Sequence, residues 1–305
     1  MATDWEGTFA RWSRPPGQTE TERIENACRA VRDALDASDK LRAVTKVYAQ
    51  GSYRNRVNVR ADSDVDLGVL YTGNSFYAKY PDGMAAADFG NVLGDTTYAQ
   101  FKNDVEVALK ARFGRGVTRS NKAFDVHENT YRIDADVVPT MVHRRYESDG
   151  SYICGVELYP DEGGRIINWP ERLIEDAHWP AQHYENAVSK NENTGRRFKG
   201  VVRILKTLRN QMDAEGIAEA KPIVGFLVEC LVWNVPRDYF GHDTWDGDVQ
   251  TALGHLWRNL KAAETCHEWG EVSELKYLFR GQDAKRARAW AFVDRAWTYI
   301  GVRGA

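Results

Sequence analysis

Asp64 and Asp66 stand two positions apart in a stretch whose other side chains, Val65, Leu67 and Val69, are aliphatic. Gly51-Ser52 closes a second apolar run just upstream. On a strand successive side chains point to opposite faces, so this spacing puts both carboxylates on one face and the aliphatic residues on the other. Two carboxylates held that close repel unless a hard, oxygen-seeking cation lies between them. Mg2+ is the usual choice when water and phosphate complete the shell, and Mn2+ can take its place. Glycine lets the backbone approach a phosphate, and a helix starting at Ser52 would aim free amides and its positive end at that phosphate. An Asp-x-Asp pair alone is most often a solvated strand face; the glycine-serine turn upstream is what makes this a site for a nucleoside triphosphate with metal.

In-line phosphoryl transfer with two metal ions calls for a third carboxylate from a neighbouring strand. The run Asp134-Ala-Asp136-Val-Val-Pro139 offers it. Asp136 is the choice, and Asp134, on the same face by its spacing, is the competitor. A leaving pyrophosphate also needs cations. Between Arg196 and Met212 an apolar face of Phe198, Val201, Val202, Leu205, Leu208 and Met212 is flanked by a basic stripe of Lys199, Arg203 and Lys206. Such a stripe is ordinarily solvated. Opposite a metal-triphosphate site, Lys199 and Arg203 become the candidates for triphosphate binding.

The elements that must position these groups can be read around them. A chain of 305 residues suits two lobes around a cleft, a catalytic core over 1–170 and a helical lobe over 171–305. Ile24, Cys28, Val31 and Leu35 recur at helical spacing, as do Tyr98, Phe101, Val105 and Leu109. Residues 73–95 read as a surface loop, and 152–169 as two short strands around a turn at Pro160–Gly164. Residues 223–234 are nearly all apolar, and the tryptophans near 247–263 and 284–300 suit packing better than base stacking. The net charge of −3 argues against a protein that coats or is switched on by nucleic acid. Four scattered cysteines, no signal peptide and no membrane-length apolar run fit a cytoplasmic protein with reduced thiols.

Taken together, Gly51-Ser52, Asp64-x-Asp66, Asp136-Val-Val-Pro139, His183-Tyr-Glu-Asn186, Lys190-Asn191, Thr194, Phe198-Lys199, Arg203, Lys206 and the run from Glu229 to Pro236 resemble the bacterial cGAS/DncV-like nucleotidyltransferases, the CD-NTases. The similarity is closest to the E clade (CdnE-like), with the G clade as the alternative. It implies an α+β fold: a polymerase-β-like core of mixed sheet and helices, a helical C-terminal lobe, and the active site in the cleft between. The implied enzyme is a monomer that joins ATP and a second triphosphate, UTP or GTP, into a cyclic dinucleotide, UMP-AMP-like or GMP-AMP-like. The product would signal antiphage (CBASS-type) defence through a separate effector. Asp64, Asp66 and Asp136 would hold two Mg2+ ions, Asp136 would help activate the attacking ribose hydroxyl, and Gly51, Ser52 and Lys199 would hold the triphosphate.

The chain departs from the family in two ways. Relatives often carry a phosphate-touching Ser where Val224-Gly225 stands here. The Asn-aromatic-Pro element that selects a pyrimidine is Asn168-Trp169-Pro170 in one register and His178-Trp179-Pro180 in the other. An amide pairs with both a donor and an acceptor of uracil and an imidazole in one tautomer does not, so uridine-containing and purine-only products both stay open. The tail Gly304-Ala305 would suit conjugation by operon-encoded enzymes. The rival readings are a template-free enzyme that adds nucleotides to RNA or protein, and an inactive nucleotide-binding scaffold.

Overall fold

The computed structural model describes residues 4–15, 17–49, 51–59, 65–92, 94–129, 132, 134–168 and 182–301. Among these, one compact unit takes 17–53 and 65–168, and a second takes 4–15, 54–59 and 182–301.

The first unit is an eight-stranded mixed sheet with helices on one face. Its strands are β1 (Thr45–Ala49), β2 (Val65–Tyr71), β3 (Tyr77–Lys79), β4 (Val117–Arg119), β5 (Phe124–Val126), β6 (Ala135–Tyr146), β7 (Tyr152–Leu158) and β8 (Ile166–Asn168), and its helices are α2 (Gln18–Asp36), α3 (Gly51–Arg54, whose last residue belongs to the second unit) and α4 (Tyr98–Phe113). Strand β6 organises the sheet: its first half lies between parallel β2 and antiparallel β5, its second half between parallel β3 and antiparallel β7. Val65, Leu67 and Val69 bury with Val137 and Met141 against Ile24, Val31 and Leu35 of α2 and Phe101, Val105 and Leu109 of α4. Alternation then forces Asp66 and Asp136 onto the other face. Helix α4 starts where Thr97 and Gln100 exchange side-chain and backbone hydrogen bonds, a capping box.

One feature differs from a plain reading of the sequence. Residues 73–95 contain β3 and a 3-10 turn at Ala86–Phe89, because Tyr80 stacks on Phe89 and on Tyr146 of β6, at 5.2 and 5.3 Å, and gives the segment a core of its own. The β7–β8 turn is also tied down. Lys102 of α4, only 1% exposed, donates to the Asn121 carbonyl at 2.9 Å and pairs with Asp161 at 3.0 Å. Arg119 takes both Asp161 oxygens and reaches Glu106.

The second unit is helical: α1 (Trp5–Trp12), α5 (Gln182–Asn193), α6 (Arg197–Ala214), α7 (Gly225–Trp233), α8 (Trp245–Leu260) and α9 (Asp283–Tyr299). Helix α6 runs through its centre. Its apolar face is buried as the spacing requires, but Lys199, Arg203 and Lys206 are buried too, at 7%, 7% and 1% exposure, where a solvated stripe would be the ordinary outcome. Helix α1 and residues 54–59 supply part of the cover, Phe9 and Val57 entering the same core. The tryptophans are packing residues, as expected: Trp257 donates to Asp294 at 2.7 Å, and Trp245 and Trp297 lie over Gly200 and Gly254.

The Arg119 guanidinium and the Lys102 ammonium hold the Asp161 carboxyl well below the usual range. Asp161→Ala would leave the Lys102 charge buried without its carboxylate and should cost roughly 1–3 kcal/mol in urea denaturation at neutral pH. Because the folded-state pKa is depressed, that contribution is present above the ordinary Asp range and fades as pH falls through the folded value. The gap between wild type and variant should therefore close in acid. Coincident denaturation curves at neutral pH would show that the clamp adds no stability.

Candidate active site

Gly51 has φ +66, a left-handed backbone that side chains rarely adopt, and opens the four-residue turn α3 right after β1. A Cβ added to it would lie 2.1 Å from Asp66 Oδ2 and 3.1 Å from its Cγ. Glycine is thus required twice, for its φ and because the Asp66 carboxylate occupies the space a side chain would fill. Ser52 follows, half-buried. The sequence places a turn beside the acids, and the fold presses one of them against it.

Asp66 and Asp136 are direct partners in the parallel β2–β6 register, so both half-buried carboxylates share one sheet face on adjacent strands. Asp134 precedes β6 and instead accepts the Glu128 backbone N–H, which separates it from that pair. On the other side of Asp136, Asp125 of β5 is its antiparallel partner. The sheet therefore carries a row of three acids, Asp66, Asp136 and Asp125. Asp125 escaped the sequence reading because Phe124-Asp-Val126 is too short a run to register as a strand. Among the described residues no three His, Cys, Asp or Glu side chains are grouped to hold a metal ion, and Asp64 lies outside the described residues. The all-oxygen donors of Asp66 and Asp136 fit a hard divalent cation and would not suit a thiolate- or imidazole-seeking metal.

Asn168 ends β8 with its side chain exposed. Through Val156 and Val142 its register leads back to β6 on the Asp136 face, so the amide belongs to the same sheet face as the acids, further along β6 and two strands across. The alternative element, His178-Trp179-Pro180, lies outside the described residues.

In the helical unit the family-like motif explains itself as a helix start. Thr194 Oγ1 accepts the Phe198 N–H at 3.1 Å and Asn191 Oδ1 accepts the Lys199 N–H at 3.0 Å, capping α6 after Arg196 turns the chain at φ +67. Asn186 donates to the Val272 carbonyl at 2.8 Å. The Lys199 ammonium lies 5.6 Å from the Tyr184 ring centre, and burial lowers its pKa. Arg203 gives its guanidinium to backbone carbonyls. Its Nε donates to the Ser13 carbonyl at 2.7 Å, with Nη2 on the same oxygen and Nη1 on the Arg56 carbonyl, and burial brings its pKa down to about 10. At Val224-Gly225, Val224 is 61% exposed and the Lys206 tail lies against Gly225.

Residues 185–301 match the family model of the cGAS/DncV-like nucleotidyltransferase C-terminal helical domain. The chain is 42% identical to the cyclic dipyrimidine nucleotide synthase CdnE of Legionella pneumophila, over 98% of this chain and 99% of that one. It is 40% identical to the cyclic dipyrimidine nucleotide synthase CdnE of Cecembia lonarensis, over 96% and 95%. The solved structure of Rhodothermus marinus CdnE c-UMP-AMP synthase with Apcpp and Upnpp superposes with a TM-score of 0.77 at 29% identity, covering 98% of each chain.

Gly51→Ala must either displace the Asp66 carboxylate or unwind α3. It is expected to cut Mg2+-dependent consumption of nucleoside triphosphate about a hundredfold, because reacting groups misplaced by an ångström lose about that much, while the melting temperature falls only a few degrees. Steady-state rates and a thermal melt on the same preparation check this; wild-type turnover would mean that the Gly51–Asp66 contact has no bearing on the chemistry.

Proposed function

The chain belongs to the cGAS/DncV-like nucleotidyltransferase (CD-NTase) family, and we propose that it is a cyclic dinucleotide synthase of the CdnE kind. It joins two nucleoside triphosphates through two phosphodiester bonds and releases two pyrophosphates. The observation that carries this reading is the register pairing of Asp66 with Asp136 against the side-chain-free Gly51.

Asp66 and Asp136, with Asp64, would hold the divalent ions, two Mg2+ that Mn2+ can replace. When bound, such ions neutralise charge on the attacking and leaving oxygens of an in-line displacement. Asp136 faces the attacking ribose hydroxyl and draws its proton. Ser52 Oγ donates to a phosphate oxygen beside Gly51, and the Lys199 ammonium offsets charge on the leaving pyrophosphate. Arg203 acts structurally instead, because by gathering the Ser13 and Arg56 carbonyls it fixes α1 and the segment after Ser52 to α6.

Asn168 is the base-selecting residue in this reading. Its amide offers one donor and one acceptor, the complement of the carbonyl and N3–H of uracil. Its exposure on the acid-bearing face and the two dipyrimidine synthases among the relatives support UTP as a substrate, with ATP or a second pyrimidine triphosphate as the other. If His178 holds that position instead, the product is purine-only, drawn from ATP and GTP. The product diffuses to an effector as a second messenger of antiphage defence. The enzyme works as a cytoplasmic monomer without nucleic-acid activation, in keeping with its net charge of −3. No helix among the described residues is long and apolar enough to cross a membrane. The tail at Gly304-Ala305, outside the described residues, is open to conjugation by operon-encoded enzymes.

Purified protein incubated with four labelled triphosphates and Mg2+ should give a phosphatase-resistant product containing uridine. Asp66→Asn with Asp136→Asn should abolish it and leave the circular dichroism spectrum unchanged. Asn168→Ser should shift incorporation toward purines, whereas His178→Ala should not. Phosphatase-sensitive linear products, a labelled protein band, or synthesis surviving the double substitution would each contradict the assignment.

A further inference from the structure

His183 and Tyr184, the first half of the motif at 183–186, have no part in the chemistry described so far. In the helical unit Tyr184 is 39% exposed and has two cations against its ring: the Arg54 guanidinium at 5.5 Å from the ring centre and the Lys199 ammonium at 5.6 Å. Two positive charges at one ring repel each other, and of the two the buried Glu229 carboxylate offsets the charge of Lys199. A ring face attracts each cation by only about 0.5–2 kcal/mol, and like charges at short range oppose it. Among the described residues neither Arg54 nor Lys199 forms an ion pair with a carboxylate.

The chain neighbours of Arg54 and Tyr184 share one partner, Glu229, 1% exposed. Its Oε1 accepts from Asn55 Nδ2 at 3.1 Å and bonds His183 Nε2 at 3.0 Å. Asn55 follows Arg54 in the chain and His183 precedes Tyr184, so one buried carboxylate ties together the side chains adjacent to both members of the Arg54–Tyr184 contact. The same charge favours the ammonium form of Lys199 against its burial. A full charge is not needed to pack α7. It is needed if the two cations must stay charged and in register. Arg54 is also two residues beyond Ser52 in the same short turn.

We infer that Arg54 is a phosphate-binding residue that acts with Lys199 on the nucleotide's triphosphate, and that Tyr184 and Glu229 are positioning residues holding the two cations at one anion. A guanidinium suits this role because its planar fork pairs with two phosphate oxygens at once. The inference rests on the synthase reading and gives the triphosphate the second cation that Arg203, closed around backbone carbonyls, does not supply.

The test compares wild type with Arg54→Gln, Arg54→Lys, Tyr184→Leu, Tyr184→Phe and Glu229→Gln. It measures KM and kcat for ATP, and equilibrium affinity for a non-hydrolysable ATP analogue and for AMP in Mg2+. Arg54→Gln should weaken the ATP analogue and raise KM about tenfold or more, the usual scale for losing a charged hydrogen bond, while AMP affinity and kcat change little. Arg54→Lys should recover part of the loss. Tyr184→Leu should shift KM in the same direction without lowering the melting temperature, and Tyr184→Phe, which keeps the ring, should match wild type. Glu229→Gln keeps the shape but not the charge and should raise KM by a few-fold with kcat retained. Unchanged KM in Arg54→Gln and Tyr184→Leu, or equal losses for the ATP analogue and AMP, would overturn the inference and leave the synthase reading standing. A wild-type protein that neither binds the analogue nor forms product would remove both.

Discussion

A carboxylate pressed against a glycine is the constraint on which the sheet unit depends. Asp66 fills the space where a Gly51 side chain would be, so the turn after β1 and the acid on β2 are placed by one steric fact. Parallel pairing then carries the placement to Asp136 without any further device, because register partners on adjacent strands lie about 5 Å apart on one face. The cost is concentrated charge on a sheet whose other face is well packed. Val65, Leu67, Val69, Val137 and Met141 lock the strands from behind, so repulsion between the acids cannot simply push them apart. A rigid back and a charged front are what a divalent-ion site needs.

The helical unit uses buried charge differently. Arg203 is a structural clasp, its donors given to carbonyls of Ser13 and Arg56. Lys190 does similar work at the end of α7, donating to the Trp233 and Val235 carbonyls among three aromatic rings. Lys199 is the exception in kind. Its ammonium rests on an exposed tyrosine and, among the described residues, donates to no carbonyl. Lys199 and Arg203, on one helix, thus differ in what their nitrogens touch, a distinction that spacing does not encode.

That distinction marks how far the sequence could be read. Period-2 alternation was enough to face Asp66 away from the core, and period-3.6 spacing located α2, α4 and α6, because both patterns record which side of an element is apolar. The pattern is silent on what covers the remaining side. Nothing local to Arg203 announces Ser13 or Arg56, and nothing local to residues 54–59 announces that they enter the helical core through Val57. Asp125 was missed for want of length in its strand, and β3 because the strand it pairs with, His143 to Arg145 of β6, lies far along the chain. The motif residues Asn191 and Thr194 carried the resemblance correctly, yet their physical work is to cap a helix.

The central claim is that Asp66 and Asp136 share divalent ions beside Gly51. Diffraction from crystals grown with Mn2+ and a non-hydrolysable triphosphate, collected at the manganese edge, tests it directly. The account predicts anomalous peaks in contact with both carboxylates and with the phosphates of a nucleotide held at Ser52. Peaks elsewhere, or a nucleotide bound with neither aspartate near a metal, would contradict it.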